Sequence, residues 1–394
     1  MPTVTELQLF AIDLPFKAAF RHAAAARTTS ESLFLRVRLD SGAEGWGESL
    51  PRVYVSGERR EQAFALLRDV ILPALVGQRF QSLPEVISLL EKCDGKAPSG
   101  WVRPEVAQSS AWCSVDLALL DAFGKAFAQP VWLGAAGGET SAAGALRRYR
   151  YSGVVSAGRG WPYAVSLVKM RAFGFPHVKL KLEHDGALLA ARTARRLLGR
   201  RVDLRADANM AWDTEQALDA IRQLRTLGIQ SFEQPIAADD LAGLARLVAE
   251  SSAGIVVDEG LTDRDSLQRF IAHRACTGAN VRISKCGGLV GAHARCRQAL
   301  DAGLMLQVGC QVGESSLLSA AHLTLLSALA PRTPGVRYAE GCFGRHLLRE
   351  DPVSPLLQFR YGGRPPRRPP GAGLGVRVDQ VMLERWAVDQ ARVA

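Results

Sequence analysis

Three lysines and three carboxylates recur through the middle of the chain at nearly constant spacing. Lys179 and Lys181 lie in HVKLKL, Asp207 in LRADAN, Glu233 in SFEQP, Asp258 in IVVDE and Lys285 in VRISKCGG. From Lys181 onward the steps are 26, 26, 25 and 27 residues. Asp, Glu and Asp form a hard, all-oxygen donor set that suits Mg²⁺ better than zinc. A cation held there can take up the charge that develops on a substrate carboxylate when its α-proton leaves. Lysine can accept such a proton once neighbouring cations lower its pKa from about 10.4, whereas arginine keeps its own. The residue choice is informative because only eight of the 49 basic residues are lysines, namely 17, 92, 96, 125, 169, 179, 181 and 285.

β-Branched or apolar runs precede each of these polar residues, which predicts successive strand–helix units of a parallel barrel. Groups at the C-terminal ends of barrel strands converge on one mouth, where chemistry is done. Side chains alternate along a strand, so Lys179 and Lys181 share one face while Val178, Leu180 and Leu182 take the other. The apolar three suit the outer helices, leaving the lysines to the interior, where the carboxylates offset the cost of burying them. Asp207 shares a face with Arg205 and with Asn209, a candidate to support the site from behind. Glu259 competes with its neighbour Asp258 as a metal ligand.

Before the barrel run, 3–13 and 33–40 alternate like strands, and 58–76, 83–92 and 106–127 carry helical patterns. This opening sheet followed by helices predicts a separate α+β unit over 1–130. The barrel is expected over 145–360, starting near RYRYSGVV. The Gly/Pro-rich YGGRPPRRPPGAGLG then opens a C-terminal segment, 361–394, in which RVDQVMLERW reads as a final strand or short helix.

The bulk properties narrow the class. At 394 residues, 47% hydrophobic and 22% charged, the chain describes a globular protein of two domains. The net charge of +10 is scattered, with no dense basic run, so small anionic substrates fit better than a nucleic acid. Seven cysteines form no CxxC pair, which argues for reduced thiols. No secretory leader or membrane-length apolar run is evident, and a cytoplasmic location is expected. The expected partner is a small-molecule carboxylate, with no nucleic acid and no membrane; assembly into a homo-oligomer is compatible with the chain.

KxK, then Asp, Glu and Asp, then Lys in KCGG resembles the enolase superfamily, in its mandelate racemase/muconate lactonizing enzyme subgroup. AEGWGE, VDLALLDAFGK and GESS are similar to that superfamily's capping-domain, linker and late-strand segments. The resemblance covers nearly the whole chain. It implies a modified TIM barrel, (β/α)7β, with an α+β N-terminal capping domain completed by the C-terminal segment. It further implies that Asp207, Glu233 and Asp258 hold Mg²⁺. Lys181 matches the base on one face of the substrate, Lys285 the acid/base on the other, and Lys179 the helper beside Lys181. The implied reaction is abstraction of the proton α to a carboxylate through an enolate, as in racemisation, epimerisation or cycloisomerisation; a dehydratase or other lyase using the same enolate is the alternative. A non-catalytic barrel is a third reading, against which the intact charged set speaks.

In this family two capping loops close over the mouth, here near 15–30 and 49–58. Arg21, His22, Arg52 and Tyr54 are thereby candidates to contact the substrate, with Gln311, Glu314 and Glu340 from the late strands. Cys310 is a further candidate to line the mouth. Dipeptide epimerases of the subgroup carry Asp-x-Asp near the last strand, whereas this chain has Gly341 and Phe343 near those places, which argues against a dipeptide.

Overall fold

The computed structural model describes residues 1–22, 25–133, 146–183 and 185–394, without the side chains of 20–22, 25, 26 and 333. The chain opens with β1 (Val4–Ile12), followed by a ribbon of β2 (Pro15–His22) and β3 (Ala25–Thr29), then β4 (Ser32–Leu39) and β5 (Glu44–Ser49). β1, β4 and β5 pair antiparallel. The Ser109–Ala126 helix lies across β5, and AEGWGE is glycine-rich for that reason. A Cβ at Gly45 would sit 2.1 Å from the Ala122 nitrogen, and one at Gly47 1.9 Å from the Ser114 oxygen.

The barrel follows. Its strands are β6 (Gly153–Val155), β7 (His177–Lys181), β8 (Asp203–Asp207), β9 (Ser231–Glu233), β10 (Gly254–Val257), β11 (Gly278–Arg282), β12 (Met305–Gly309) and β13 (Val336–Ala339). All pair parallel in chain order. A parallel bridge between Tyr151 and Ala339, with the Ser152 N–H donating to the Ala339 carbonyl at 2.9 Å, brings the first and last strands together. Among the described residues seven α-helices fill the intervals between the eight strands, which is the (β/α)7β order. Polar residues start several of them: Asp213 and Asp263 form capping boxes, and the Asp240 and Ser315 side chains accept from the first turn. Each helix turns its apolar stripe to the strands, as Ala191, Ala194 and Leu198 do.

After the barrel, β14 (Val353–Ser354) and β15 (Arg377–Val378) form a short ribbon, a helix spans Gln380–Arg385, and β16 (Ala387–Val393) pairs antiparallel with β1. The chain end thus completes the capping sheet, as expected. RVDQVMLERW is mainly that short helix, while the true final strand lies just beyond it. β16 is an edge strand with no fully buried residue, so it carries little apolar alternation to read.

The two glycines of KCGG belong to the joint between cap and barrel. A Cβ at Gly287 would lie 2.0 Å from the Gly95 oxygen, and one at Gly288 2.3 Å from the Asp116 Cβ. Asp116 accepts from the Leu289 and Val290 N–H groups at 2.7 and 3.3 Å. Glu48 does the same for a second barrel helix, accepting from the Ser315 N–H at 2.9 Å and its hydroxyl at 2.6 Å. Cap carboxylates therefore satisfy barrel helix N-termini, where backbone donors and dipole favour an acceptor.

Candidate active site

Asp207 and Glu233 end consecutive strands in register, and Asp258 directly follows the next. All three are buried. The Lys179 ammonium lies 3.2 Å from Asp207 Oδ2, 3.2 and 3.3 Å from the Glu233 oxygens and 2.8 Å from Glu340 Oε2. Asn280 and Gln307 donate to Glu233 at 2.8 and 2.9 Å. The Arg282 guanidinium donates to Asp258 Oδ2 and lies 3.6 Å from Glu233 Oε1. One ammonium thus bridges Asp207 and Glu233, and one guanidinium bridges Glu233 and Asp258.

Among the described residues no three acids, imidazoles or thiols already stand as a metal cage, because these cations take up the carboxylate oxygens. The donor set still fits a small hard cation. Its atoms are all carboxylate oxygens converging on one buried volume, and a compact divalent ion there would replace ion pairs rather than displace apolar packing.

Burial pushes the Lys179 ammonium down, but Glu233, Glu340 and Asp207 outweigh it and hold the pKa above its ordinary value. Likewise burial raises Glu233, but Lys179, Arg282 and Lys181 bring it below the usual carboxylate range. Glu340 is shared between Lys179 and Arg205, and Arg205 also donates to Ser152 at 2.8 Å and stacks over Tyr338 at 4.4 Å.

Lys181 lies nearer the mouth, its side chain 11% exposed, donating to Asp207 Oδ2 at 2.6 Å and Asn209 Oδ1 at 2.8 Å. Asn209 in turn donates to Glu259 Oε1 at 2.9 Å, with its backbone left-handed at φ 46°. Among the described residues Glu259 Oε2 has no partner. Burial, then Asp258 and Asp207, push this carboxyl up to about 7. A cavity of about 30 Å³ remains, lined by Arg52, Tyr54, Val55, Lys181, Asn209, Glu259, Arg282, Gln311 and Val312. That is room for about one water and far below the size of a ligand pocket, so a substrate must displace the cap loop or side chains. A larger depression, about 570 Å³, lies on the outer cap edge around Gln8 and Ala387–Gln390, away from this acid–base cluster.

The expected residues therefore separate. Lys181, Arg52, Tyr54 and Gln311 meet at the cavity with Asn209 and Glu259. Among the described residues, both amide atoms of buried Gln311 lack a partner. Arg52 is 3% exposed and donates to the carbonyls of Ser30, Glu31 and Pro51. Burial, then Arg27, bring it down to about 10. Glu340 does not reach the cavity, because Lys179 and Arg205 hold it beneath. Nor does Glu314, which accepts from the Gln311 N–H at 2.7 Å and shapes that turn. Cys310 is buried, and burial pushes its thiol well up. Arg21 and His22 have side chains outside the described residues.

Lys285 lies apart from the cavity residues. It stands three residues past β11, in the turn into the Gly288–Asp301 helix, and is fully buried. Its ammonium donates to the Asp258 carbonyl at 2.7 Å, Asp258 Oδ1 at 2.8 Å and the Asn280 carbonyl at 2.8 Å. An ammonium has three protons, and all are committed. It does not line the cavity.

Sequence comparison decides the family. Residues 163–382 match the enolase C-terminal domain-like family, and residues 5–133 match the N-terminal domain of mandelate racemase and muconate lactonizing enzyme. The chain belongs to the enolase superfamily. It is 28% identical over 323 residues to an N-succinyl-L-Arg/Lys racemase of Bacillus cereus, covering 81% of this chain and 82% of the racemase. A chloromuconate cycloisomerase of Cupriavidus pinatubonensis is 25% identical over 393 residues, 95% of this chain and 96% of that one. The fold superposes with a TM-score of 0.83 on a dipeptide epimerase of Cytophaga hutchinsonii in complex with Mg and D-Ala-L-Val, at 21% identity and full coverage of both chains. Racemases, epimerases and cycloisomerases are isomerases, and this enolase-superfamily enzyme stands among them. Among the described residues no helix is long and apolar enough to cross a membrane.

The residue that sequence reasoning missed in this enolase-superfamily chain is Arg282. The signal was available: Asn280 and Arg282 end β11 two residues apart, just as Lys179 and Lys181 end β7. Strand alternation points to Arg282 as the strand-end group.

Proposed function

We propose that this enzyme binds Mg²⁺ through Asp207, Glu233 and Asp258 and removes the proton α to the carboxylate of a small substrate, giving an enolate that it converts to an isomer. When bound, the cation supplies a Lewis acid that draws off the charge developing on the substrate carboxylate. The observation that carries the reading is Lys181, a lysine at the cavity, held by Asp207 and Asn209 at 2.6 and 2.8 Å beside the three carboxylates. Lys181 takes the proton and returns it. Lys179 cannot share that work, since three carboxylates stabilise its ammonium; it fixes Asp207 and Glu233 in place. Asn209 orients Lys181, and the unpartnered Gln311 amide offers one donor group and one acceptor to substrate oxygens.

Arg52 narrows the substrate class. The hydrogen bonds of this buried guanidinium go to carbonyls, and Glu31 and Tyr54 offset its charge only in part, because burial and Arg27 outweigh them and leave its counter-charge incomplete. A second anionic group on the substrate supplies that counter-charge, so the proposed substrates are dicarboxylates or acyl amino acids ending in a carboxylate. The test is α-proton exchange in D₂O with Mg²⁺ over a panel of such acids, followed by mass spectrometry. Exchange that Lys181→Met abolishes while Mg²⁺ affinity persists supports the reading; undiminished exchange in Lys181→Met overturns it.

A further inference from the structure

Lys181 ends β7 and Arg282 ends β11, four strands apart in an eight-strand ring, so the two cations face each other across the mouth. Both line the cavity. Lys285 does not, and its protons are spent on Asp258 and Asn280. A guanidinium stays protonated in proteins, so the group opposite Lys181 is a fixed cation.

We propose that Arg282 makes this a single-faced enzyme: Lys181 removes and returns the proton on one side of the substrate, and on the opposite side Arg282 stands where a second lysine would be needed. This rests on the reading of Lys181 given above and selects among its branches. Inversion needs a proton delivered from the far side, which Arg282 does not exchange. Cycloisomerisation needs one face only. In the lactone-opening direction, Lys181 takes the α-proton, the C–H electron pair becomes the α,β double bond, and the β-carbon–oxygen bond breaks to release a carboxylate on the same molecule. In the closing direction that carboxylate adds to the β-carbon and Lys181 returns the proton. No atom is lost and no oxidant is needed. Arg282, already paired with Asp258, is placed to steady the anion formed or consumed at that carboxylate.

The experiment has two arms. The first uses no substrate. The enzyme in Mg²⁺ buffer is trace-labelled with acetic anhydride, with and without adipate, and lysine peptides are quantified by mass spectrometry. Lys181 is expected to label and to be protected by adipate, with Lys285 labelling at least about tenfold more slowly, as expected for a buried amine whose protons are all hydrogen-bonded. Equal, adipate-protected labelling of Lys285 overturns the proposal. The second arm incubates N-succinyl-L-lysine and muconolactone in D₂O and follows deuterium and configuration by chiral chromatography. Exchange with retention is expected in the wild type, with inversion appearing in Arg282→Lys. Inversion by the wild type at a rate comparable to exchange would make Glu259 the second base and overturn the proposal. If neither probe exchanges, the proton-abstraction reading fails for these acids, while the labelling arm still decides which amine faces the mouth.

Discussion

Replacing Arg52 with Met should erase the preference for a second carboxylate proposed above. Methionine keeps much of the apolar stem while removing the guanidinium. The lost group is 3% exposed and hydrogen-bonds the Glu31 and Pro51 carbonyls at 3.1 and 2.9 Å as well as that of Ser30. Although burial and Arg27 bring its pKa down to about 10, it is protonated at neutral pH. Hydrogen bonds to charged groups contribute about 1.5–3 kcal/mol, which corresponds to roughly 10- to 150-fold in affinity. Adipate and hexanoate have equal length and differ only in the second carboxylate, so their affinities by calorimetry in Mg²⁺ isolate the term. Wild type should favour adipate by that factor, and Arg52→Met should bind the two within about threefold of each other, a difference worth less than 1 kcal/mol. Because Arg52 also ties the cap loop together, thermal unfolding of the variant separates weakened binding from a loosened fold. A preference for adipate that survives in a folded Arg52→Met would refute the assignment of the distal anion to Arg52.

Lys181→Met should lower α-proton exchange by ~10²–10⁴-fold, the usual cost of losing a general base, with Mg²⁺ binding measured by calorimetry little changed. Glu340→Gln removes the carboxylate shared by Lys179 and Arg205 and should cost ~3–5 kcal/mol in urea unfolding, as expected when a buried pair loses one partner; a loss below 1 kcal/mol would mean the remaining carboxylates and Ser152 suffice. Glu48 gives a pH signature. Burial, opposed by its bonds from Ser315, pushes it from 4.5 up to about 8, so the folded state holds a proton that the unfolded state releases. Its stabilising contribution is complete below about pH 4.5 and is lost as pH rises through about 8. Glu48→Gln should therefore show a shallower fall in unfolding free energy between these pH values than wild type, and equal slopes would contradict the burial argument.

The barrel was legible because each strand announces its polar end after an apolar run, and the lysine pair was legible because alternation leaves KxK no other face. The place of the second lysine was less legible, for a physical reason. A spacing of 27 from Asp258 to Lys285 looks regular in residues, yet the strand ends at Arg282, and the remaining residues belong to a turn. Counting by residue type favoured lysine, whereas counting by strand register favours arginine. Glu340 was misplaced more subtly. It does follow the last barrel strand, but Lys179 and Arg205 lie deeper than the mouth and draw it down. The cap contacts were least legible, since Arg52 and Tyr54 reach the site from a loop end and the single helical turn Val53–Ser56 that follows it, too short for any periodicity to encode.

At the cavity and beneath it, Asp207, Glu233, Asp258, Glu259 and Glu340 face Lys179, Lys181, Arg205, Arg282 and Lys285, an equal number of acids and bases. A buried network of this size adds little net stability over well-packed apolar residues, so its value lies in position. Lys179 and Lys285 have their protons tied to carboxylates or carbonyls, and Arg205 is held by Glu340 and Ser152; all three serve as fixed cations that aim the carboxylate oxygens. Lys181 differs because two acceptors hold it at a wall where a substrate can arrive, and among the described residues its third proton meets no acceptor. The proposed division of labour follows from this geometry: the deep cations build the carboxylate cluster, and Lys181, which lines the cavity, is the lysine assigned to exchange a proton.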